Sequence, residues 1–156
     1  MSTGDHSTQG TIIIPITSNP LKFIFNQDIC YVSSLKVFDI TWDTTNQGSF
    51  NPAGLALFLH SPDFSYFGSS NEGRLGNRII SNIVASWQLQ VSAGIFTNFK
   101  TVDQPCFELK FPGTRHIHEF NLTFFDGAGV MITPPGDMNL IVLFKQRFPV
   151  LNRGIE

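Results

Sequence analysis

Residues 117–125 read Ile-His-Glu-Phe-Asn-Leu-Thr-Phe-Phe, and this stretch decides the fold class of the chain. Apolar and polar side chains alternate from His118 to Phe124, a period of two that is typical of a strand with one buried face. Asp126-Gly127 follows directly and supplies the left-handed backbone that a tight reversal needs. The sequence therefore predicts a β-strand that ends in a turn.

A loop and a further strand are predicted after this turn. The cluster Pro134-Pro135-Gly136-Asp137 forces a loop, because proline has no amide hydrogen to donate to a strand ladder. Residues Leu140 to Phe144 are then all apolar, which predicts a central strand that is covered on both faces. The end of the chain thus contributes two strands and two reversals.

Short strands separated by glycine and proline also fill the rest of the chain, and no window has an apolar stripe with the helical period of 3.6 residues. About eight strands at this spacing indicate an all-β sandwich or barrel. Eight strands arranged in two Greek keys would form a jelly-roll sandwich, which is the fold we expect. An immunoglobulin-like sandwich is the alternative, although Cys30, Trp42 and Cys106 match its Cys–Trp–Cys spacing poorly. The clean alternation predicts a core that includes Leu89, Val91, Phe107, Leu109, Phe120, Leu122 and Phe124.

One predicted strand, Cys30 to Trp42, changes phase along its length. Leu35 and Val37 are in one phase, whereas Phe38 and Ile40 are in the other. Such a change indicates a β-bulge or a strand that leaves one sheet for another.

At 156 residues the chain has the size of one domain. Its polar first residues predict a flexible N-terminal arm at 1–10, followed by the jelly-roll domain at 11–147 and a C-terminal tail at 148–156. The segment 61–77 is rich in serine and glycine, and we expect it to be a long irregular loop.

The composition narrows the classes of function. Charged residues make up 14% of the chain against a typical value of about 25%, and there are 16 phenylalanines. This apolar excess favours a protein that buries surface in an assembly, although a phenylalanine-rich core under an uncharged polar surface explains it equally well. A net charge of −2 without basic runs predicts no specific nucleic-acid binding, and no stretch approaches the ~20 apolar residues of a membrane-spanning helix.

The sharpest candidate for chemistry is the run Arg-His-Ile-His-Glu at residues 115–119. In a strand, His116 and His118 share a face and could bind one metal ion, as in a cupin-like metalloenzyme. Glu119 points to the opposite face, however, and the chain has no second histidine motif. We therefore expect no bound metal or other cofactor, no catalytic residue and no enzyme activity.

A carbohydrate-binding β-sandwich is a further alternative, because such lectin-like sites use exposed aromatic side chains. Tyr31, Trp42, Tyr66 and Trp87 could serve, although Trp87 is in phase with a buried stripe and is better explained as core. No pattern singles out one of them as a binding platform.

The C-terminal third of the chain has four segments that occur in a recognisable order. They resemble the end of the single jelly-roll capsid proteins of double-stranded DNA viruses, the penton and minor capsid proteins of large DNA viruses and virophages. In that family an alternating strand, an Asp-Gly type turn, a short return and a closing apolar strand end the domain. The residues that carry the resemblance are Phe107-Glu108-Leu109, Phe120 to Gly127 with Gly129, Pro134-Pro135-Gly136 and Leu140 to Phe144.

The resemblance implies a structural virion protein, a penton or minor capsid component that is made in the host cytoplasm and assembles through lateral jelly-roll contacts. It implies self-association into a ring, expected to be a pentamer, and contacts with other capsid proteins. In this interpretation the arm and the tail become ordered against neighbouring chains.

Overall fold

A computed structural model describes residues 6–42, 50–64, 72–75, 78–81, 83–92, 95–101 and 108–149. These residues form nine β-strands and two short 3-10 turns, at Ala53–Leu55 and Pro62–Phe64, which confirms the all-β prediction. The strands are β1 His6–Pro15, β2 Leu21–Thr41, β3 Ala56–His60, β4 Glu72–Leu75, β5 Arg78–Ser81, β6 Ile83–Ser92, β7 Ile95–Thr101, β8 Glu108–Asp126 and β9 Asn139–Phe148.

Seven of these strands form one hydrogen-bonded sheet in the order β1-β9-β2-β8-β3-β6-β7, and β4 and β5 form a separate hairpin. Every pair is antiparallel. The β4–β5 hairpin begins within the segment 61–77, so this segment is not irregular throughout as predicted.

The two longest strands, β2 and β8, each change neighbours along their length. The first half of β2, residues 21–29, pairs with β8 at residues 117–122. The second half of β2 lies between β9 and the start of β8, and the end of β8 pairs with β3. Each long strand therefore links two parts of the sheet.

Both long strands bend where their pairing changes. Additional residues of β2 lie between Ile24 and Ile29, and additional residues of β8 lie between Lys110 and Arg115. Bulges of this kind bend a strand and increase its twist. Tyr31 lies within the bend of β2 and has a φ of 57°, in the left-handed region that bulky residues rarely adopt.

The predicted phase change in β2 is confirmed. The register between β2 and β9 shifts between Val37 and Asp39. The side chain of Phe38 is consequently 51% exposed, whereas Ile40 returns to the core.

One apolar core joins the two ends of the sheet. Ile14 on β1 and Trp87 on β6 have no exposed surface and belong to the same cluster, so the two parts of the sheet enclose a common interior. Val91 and Phe107 lie outside the side chains that the structure describes, and the other predicted core residues are buried as expected, namely Leu89, Leu109, Phe120, Leu122 and Phe124.

β9 lies between β1 and β2, which agrees with the predicted central position. The prediction that both of its faces are covered is wrong, because Leu140 and Val142 are buried while Ile141 and Leu143 are only half-buried. The alternate residues lie on the outer face of the sheet.

The turn after β8 differs from its predicted form. Gly129, with a φ of 78°, is the residue in the left-handed region, and its N–H donates to the Asp126 carbonyl at 3.0 Å. Gly127 is required for a different reason, because a Cβ there would lie 2.8 Å from the Ala53 carbonyl oxygen. The turn is therefore held against the 3-10 turn at Ala53–Leu55, to which it also donates a backbone hydrogen bond of 2.9 Å.

The boundaries of the predicted arm and tail also differ. Residues 6–10, assigned to the flexible arm, form the first half of β1 and pair with residues 144–148 of β9. A polar strand end is stable here because the ladder satisfies its backbone and Thr8 donates a side-chain hydrogen bond of 3.1 Å to Gln146. The remainder of the arm and residues 150–156 lie outside the described residues.

Candidate interaction sites

His116 and His118, the two histidines of the predicted metal motif, are both exposed and contact different partners. The His118 Nδ1 lies 2.6 Å from the Asp28 Oδ2, and the His116 ring packs edge-on against Tyr31. Glu119 instead forms an ion pair of 3.3 Å with Lys22. Among the described residues, no three histidine, cysteine, aspartate or glutamate side chains are placed so that they could hold one metal ion.

The bend in β2 and β8 brings five side chains into one surface cluster, which we call the corner cluster. The Tyr31 ring lies 5.3 Å from the His116 ring and 5.4 Å from the Phe148 ring. The adjacent Asp28–His118 pair completes the cluster. A positive φ at a tyrosine costs free energy and persists where the surroundings hold it, so the conformation of this corner is held by its contacts.

Sequence reasoning named Tyr31, His116 and His118 separately, but it did not predict that they lie together, and it missed Asp28 and Phe148. Their proximity arises from pairing between strands that are far apart in sequence. No local pattern carries that information.

The other aromatic candidates for a sugar site do not form an exposed platform. Trp87 is fully buried, as expected, with its ring 6.3 Å from that of Phe124. Trp42 is half-buried and packs edge-on against Phe50 at 5.8 Å. Tyr66 lies outside the described residues, and Tyr31 is half-buried within the corner cluster.

Two surface clefts are smaller than the roughly 300–1,000 Å³ of typical small-molecule sites. The smaller cleft has a volume of about 170 Å³ and lies beside the turn that follows β8. In the larger cleft, an ion pair of 3.6 Å joins Lys145 to Glu108. The larger cleft has a volume of about 210 Å³ and is lined by Gln9, Ser34, Lys36, Glu108, Leu143, Phe144 and Lys145.

An apolar patch occupies the outer face of the sheet beside β1. Ile13 is 60% exposed and lies opposite Ile141 of β9, which in turn lies opposite Asp39 of β2. Phe38 precedes Asp39 at the bulge and is also exposed. We call Ile13, Ile141 and Phe38 the outer-face patch. Sequence analysis predicted these strands but not which apolar residues would remain at the surface.

A half-buried carboxylate links the 3-10 turn at Pro62–Phe64 to β8. The Asp63 Oδ2 accepts hydrogen bonds from the backbone N–H of Asn121 at 2.5 Å and from its side-chain amide at 3.4 Å. Burial removes water from the carboxylate and raises the pKa of Asp63 above its ordinary value, and the negative charge of Glu119 adds to this effect. The hydrogen bonds from Asn121 oppose the shift without cancelling it.

Replacing Asp63 by asparagine should remove a pH-dependent loss of stability. Because the pKa of Asp63 is raised in the folded state, the protonated carboxyl group stabilises the fold. This stabilisation is complete below the pKa of the unfolded state, about 3.9, and is lost as the pH rises through the folded-state pKa. Asp63→Asn keeps an oxygen that accepts from Asn121 but cannot ionise.

The free energies of unfolding of the variant and the wild type, measured by urea titration, should therefore diverge in favour of the variant between pH 3 and pH 7. A difference that stays constant over this range contradicts the prediction.

No protein-family model and no curated protein shows significant similarity to this sequence. Among the described residues, no helix is long and apolar enough to cross a membrane.

Proposed function

We propose that this chain is a jelly-roll structural protein of a viral capsid, a penton or minor component that assembles into a ring of identical subunits. The observation that carries the proposal is the order of strand pairing. The described strands pair as the arms of one long hairpin: β1 with β9, the first half of β2 with the end of β8, the second half of β2 with the start of β8, and β3 with β6.

The remaining strand pairs are those that form when such a long hairpin rolls up on itself. β9 lies beside the second half of β2, and the end of β8 lies beside β3. If β2 and β8 are each counted as two strands, these pairings correspond to eight strands in two Greek keys, which is the jelly-roll arrangement. β7 and the β4–β5 hairpin are then additions to this framework.

The surface supports an assembly role. Large exposed apolar side chains are present on several elements, including Phe38 at 51% and Val130 and Met131 at 52% each. Exposed apolar surface that forms patches marks sites where proteins contact each other. The low charged fraction of the sequence agrees with this interpretation.

The proposal predicts that the purified chain forms a ring of identical subunits, expected to be a pentamer. Mass photometry and analytical ultracentrifugation over a range of concentrations should show a discrete multimer, and negative-stain images should show rotational symmetry. A chain that remains monomeric at high concentration and recruits no other capsid protein contradicts the capsid proposal.

The alternative function is sugar binding, and the observation that favours it is the corner cluster. Aromatic rings beside polar side chains are suited to contact the apolar and hydroxyl faces of a sugar. In that case Tyr31→Ala should abolish binding on a glycan array. The capsid proposal instead predicts that this variant assembles like the wild type.

A further inference from the structure

β1 is an end strand of the sheet, and within the described residues no strand pairs with its outer edge. It is also regular, because its ten residues pair with β9 from His6 opposite Phe148 to Pro15 opposite Asn139 without a register shift. A regular edge presents a row of backbone N–H and C=O groups to which another strand can bind.

Two other open edges, on the first half of β2 and at the start of β8, carry features that prevent strand addition. The first half of β2 has β8 as its described neighbour, and it contains Lys22, Asp28 and the bulge between Ile24 and Ile29. The start of β8, which has β2 as its described neighbour, carries Glu108 and a lysine two residues later. Edge charges and bulges of these kinds are the devices by which proteins prevent unwanted pairing.

β1 has none of these protections. Residues 6–15 contain no aspartate, glutamate, lysine or arginine, and the strand has no proline before Pro15. Its second half, Thr11 to Ile14, is entirely β-branched, which favours an extended conformation.

The outer-face patch extends the apolar surface from this edge onto the sheet. Ile12 and Ile14 point into the core, so the side chain of Ile13, between them in the strand, lies on the opposite face and is 60% exposed. Its neighbours Ile141 and Phe38 continue the patch across β9 and β2. A strand added to β1 would place its own side chains beside Ile13.

We propose that the outer edge of β1 pairs antiparallel with the β1 edge of a second copy of this chain, about a two-fold axis. The strand is uncharged from Thr8 to Pro15, so two copies place no like charges opposite each other. Directly opposite residues share a face of the sheet, so the buried isoleucines of both copies lie on one side and the two Ile13 side chains on the other. The two outer-face patches then form one continuous apolar surface.

This inference rests on the proposed assembly role, and it specifies one contact between subunits of that assembly. A ring requires heterologous contacts, in which two different surfaces meet, whereas β1 with β1 is an isologous contact. The β1 pairing therefore joins two rings, and the contacts within each ring use other surfaces.

The test compares the wild type with Ile13→Lys and with the matched control Ile24→Lys. Both isoleucines are more than half exposed, at 60% and 65%, so lysine is compatible with the fold at either position. A lysine at Ile13 introduces charge beside the edge and across the two-fold axis, whereas a lysine at Ile24 lies on a different edge.

We expect mass photometry to show paired rings for the wild type and for Ile24→Lys. Ile13→Lys should form single rings whose pairing is at least ten-fold weaker. Amide hydrogen exchange at Thr8–Ile14 should be at least ten-fold slower in the paired wild type than in Ile13→Lys. If Ile13→Lys does not fold, Thr11→Lys, at an exposed position on the same face, takes its place.

The outcomes separate the two proposals. The β1 contact is refuted if wild-type rings do not pair, if Ile13→Lys rings still pair, or if the control loses pairing to the same extent. The absence of any ring contradicts the capsid proposal, and in that case a simple dimer that Ile13→Lys dissociates still supports the β1 contact.

Discussion

Replacement of Phe124 by alanine should lower the free energy of unfolding by about 3–5 kcal/mol. The side chain of Phe124 has no exposed surface and packs against the ring of Trp87, so truncation leaves a cavity between β8 and β6. Total stability of a domain is about 5–15 kcal/mol, which makes this loss a large share of the whole.

Urea titration and thermal unfolding measure this loss, which should lower the Tm by roughly 6–20 °C. Ile24→Ala is the matched control, because Ile24 is also an apolar strand residue but is 65% exposed. A loss below ~1 kcal/mol for Phe124→Ala would show that β8 is displaced by one residue, which exchanges its buried and exposed faces.

Removing the side chain of Asn19 should destabilise the fold by about 2–4 kcal/mol, although Asn19 is neither apolar nor fully buried. Its Nδ2 donates to the carbonyls of Phe124 and Ile132 at 2.8 and 2.9 Å, and its Oδ1 accepts from the Phe124 N–H at 3.0 Å. Asn19→Ala leaves backbone groups of β8 and of the following loop without these partners.

Asn19→Asp distinguishes this explanation from a simple loss of packing. At neutral pH it places a carboxylate oxygen toward two carbonyl oxygens, so we expect a larger loss than for alanine. The deficit should narrow as the pH falls from neutral towards about 4, because the carboxyl becomes a donor when it is protonated in the folded state. Asn139→Ala is the control, because its amide donates to the Asp137 carbonyl at an exposed site, and it should change stability by no more than about 0.5 kcal/mol.

The sequence predicted the features that depend on local burial. Phe120, Leu122 and Phe124 alternate with polar residues because one face of β8 is buried along this whole stretch. Since side chains alternate between the faces of a strand, one buried face appears in the sequence as an apolar period of two. The bulge near Phe38 was visible for the same reason, since a change of face changes the phase.

Other features depend on which strands become neighbours, and no local pattern records that. The polar run Asn26-Gln27-Asp28 does not look like a strand, yet it lies within β2 between segments that pair with β8. Ile13 is exposed because it lies on the outer face of the sheet, whereas Ile12 and Ile14 on the same strand face the core. The contacts of Asn19 with Phe124 and Ile132 likewise require the finished fold.

The position of β9 between β1 and β2 has a consequence for synthesis of the chain. β9 follows β2 by roughly a hundred residues, so β1 and β2 leave the ribosome well before the strand that joins them. At about 5–20 residues per second, the two early strands wait roughly 5–20 s for that partner. During this interval the isoleucines of β1 have no sheet to enter, and pairing over such sequence separations is slow in any case. β1 and β2 therefore depend on β9, a strand that is made later, to protect them from aggregation and proteolysis.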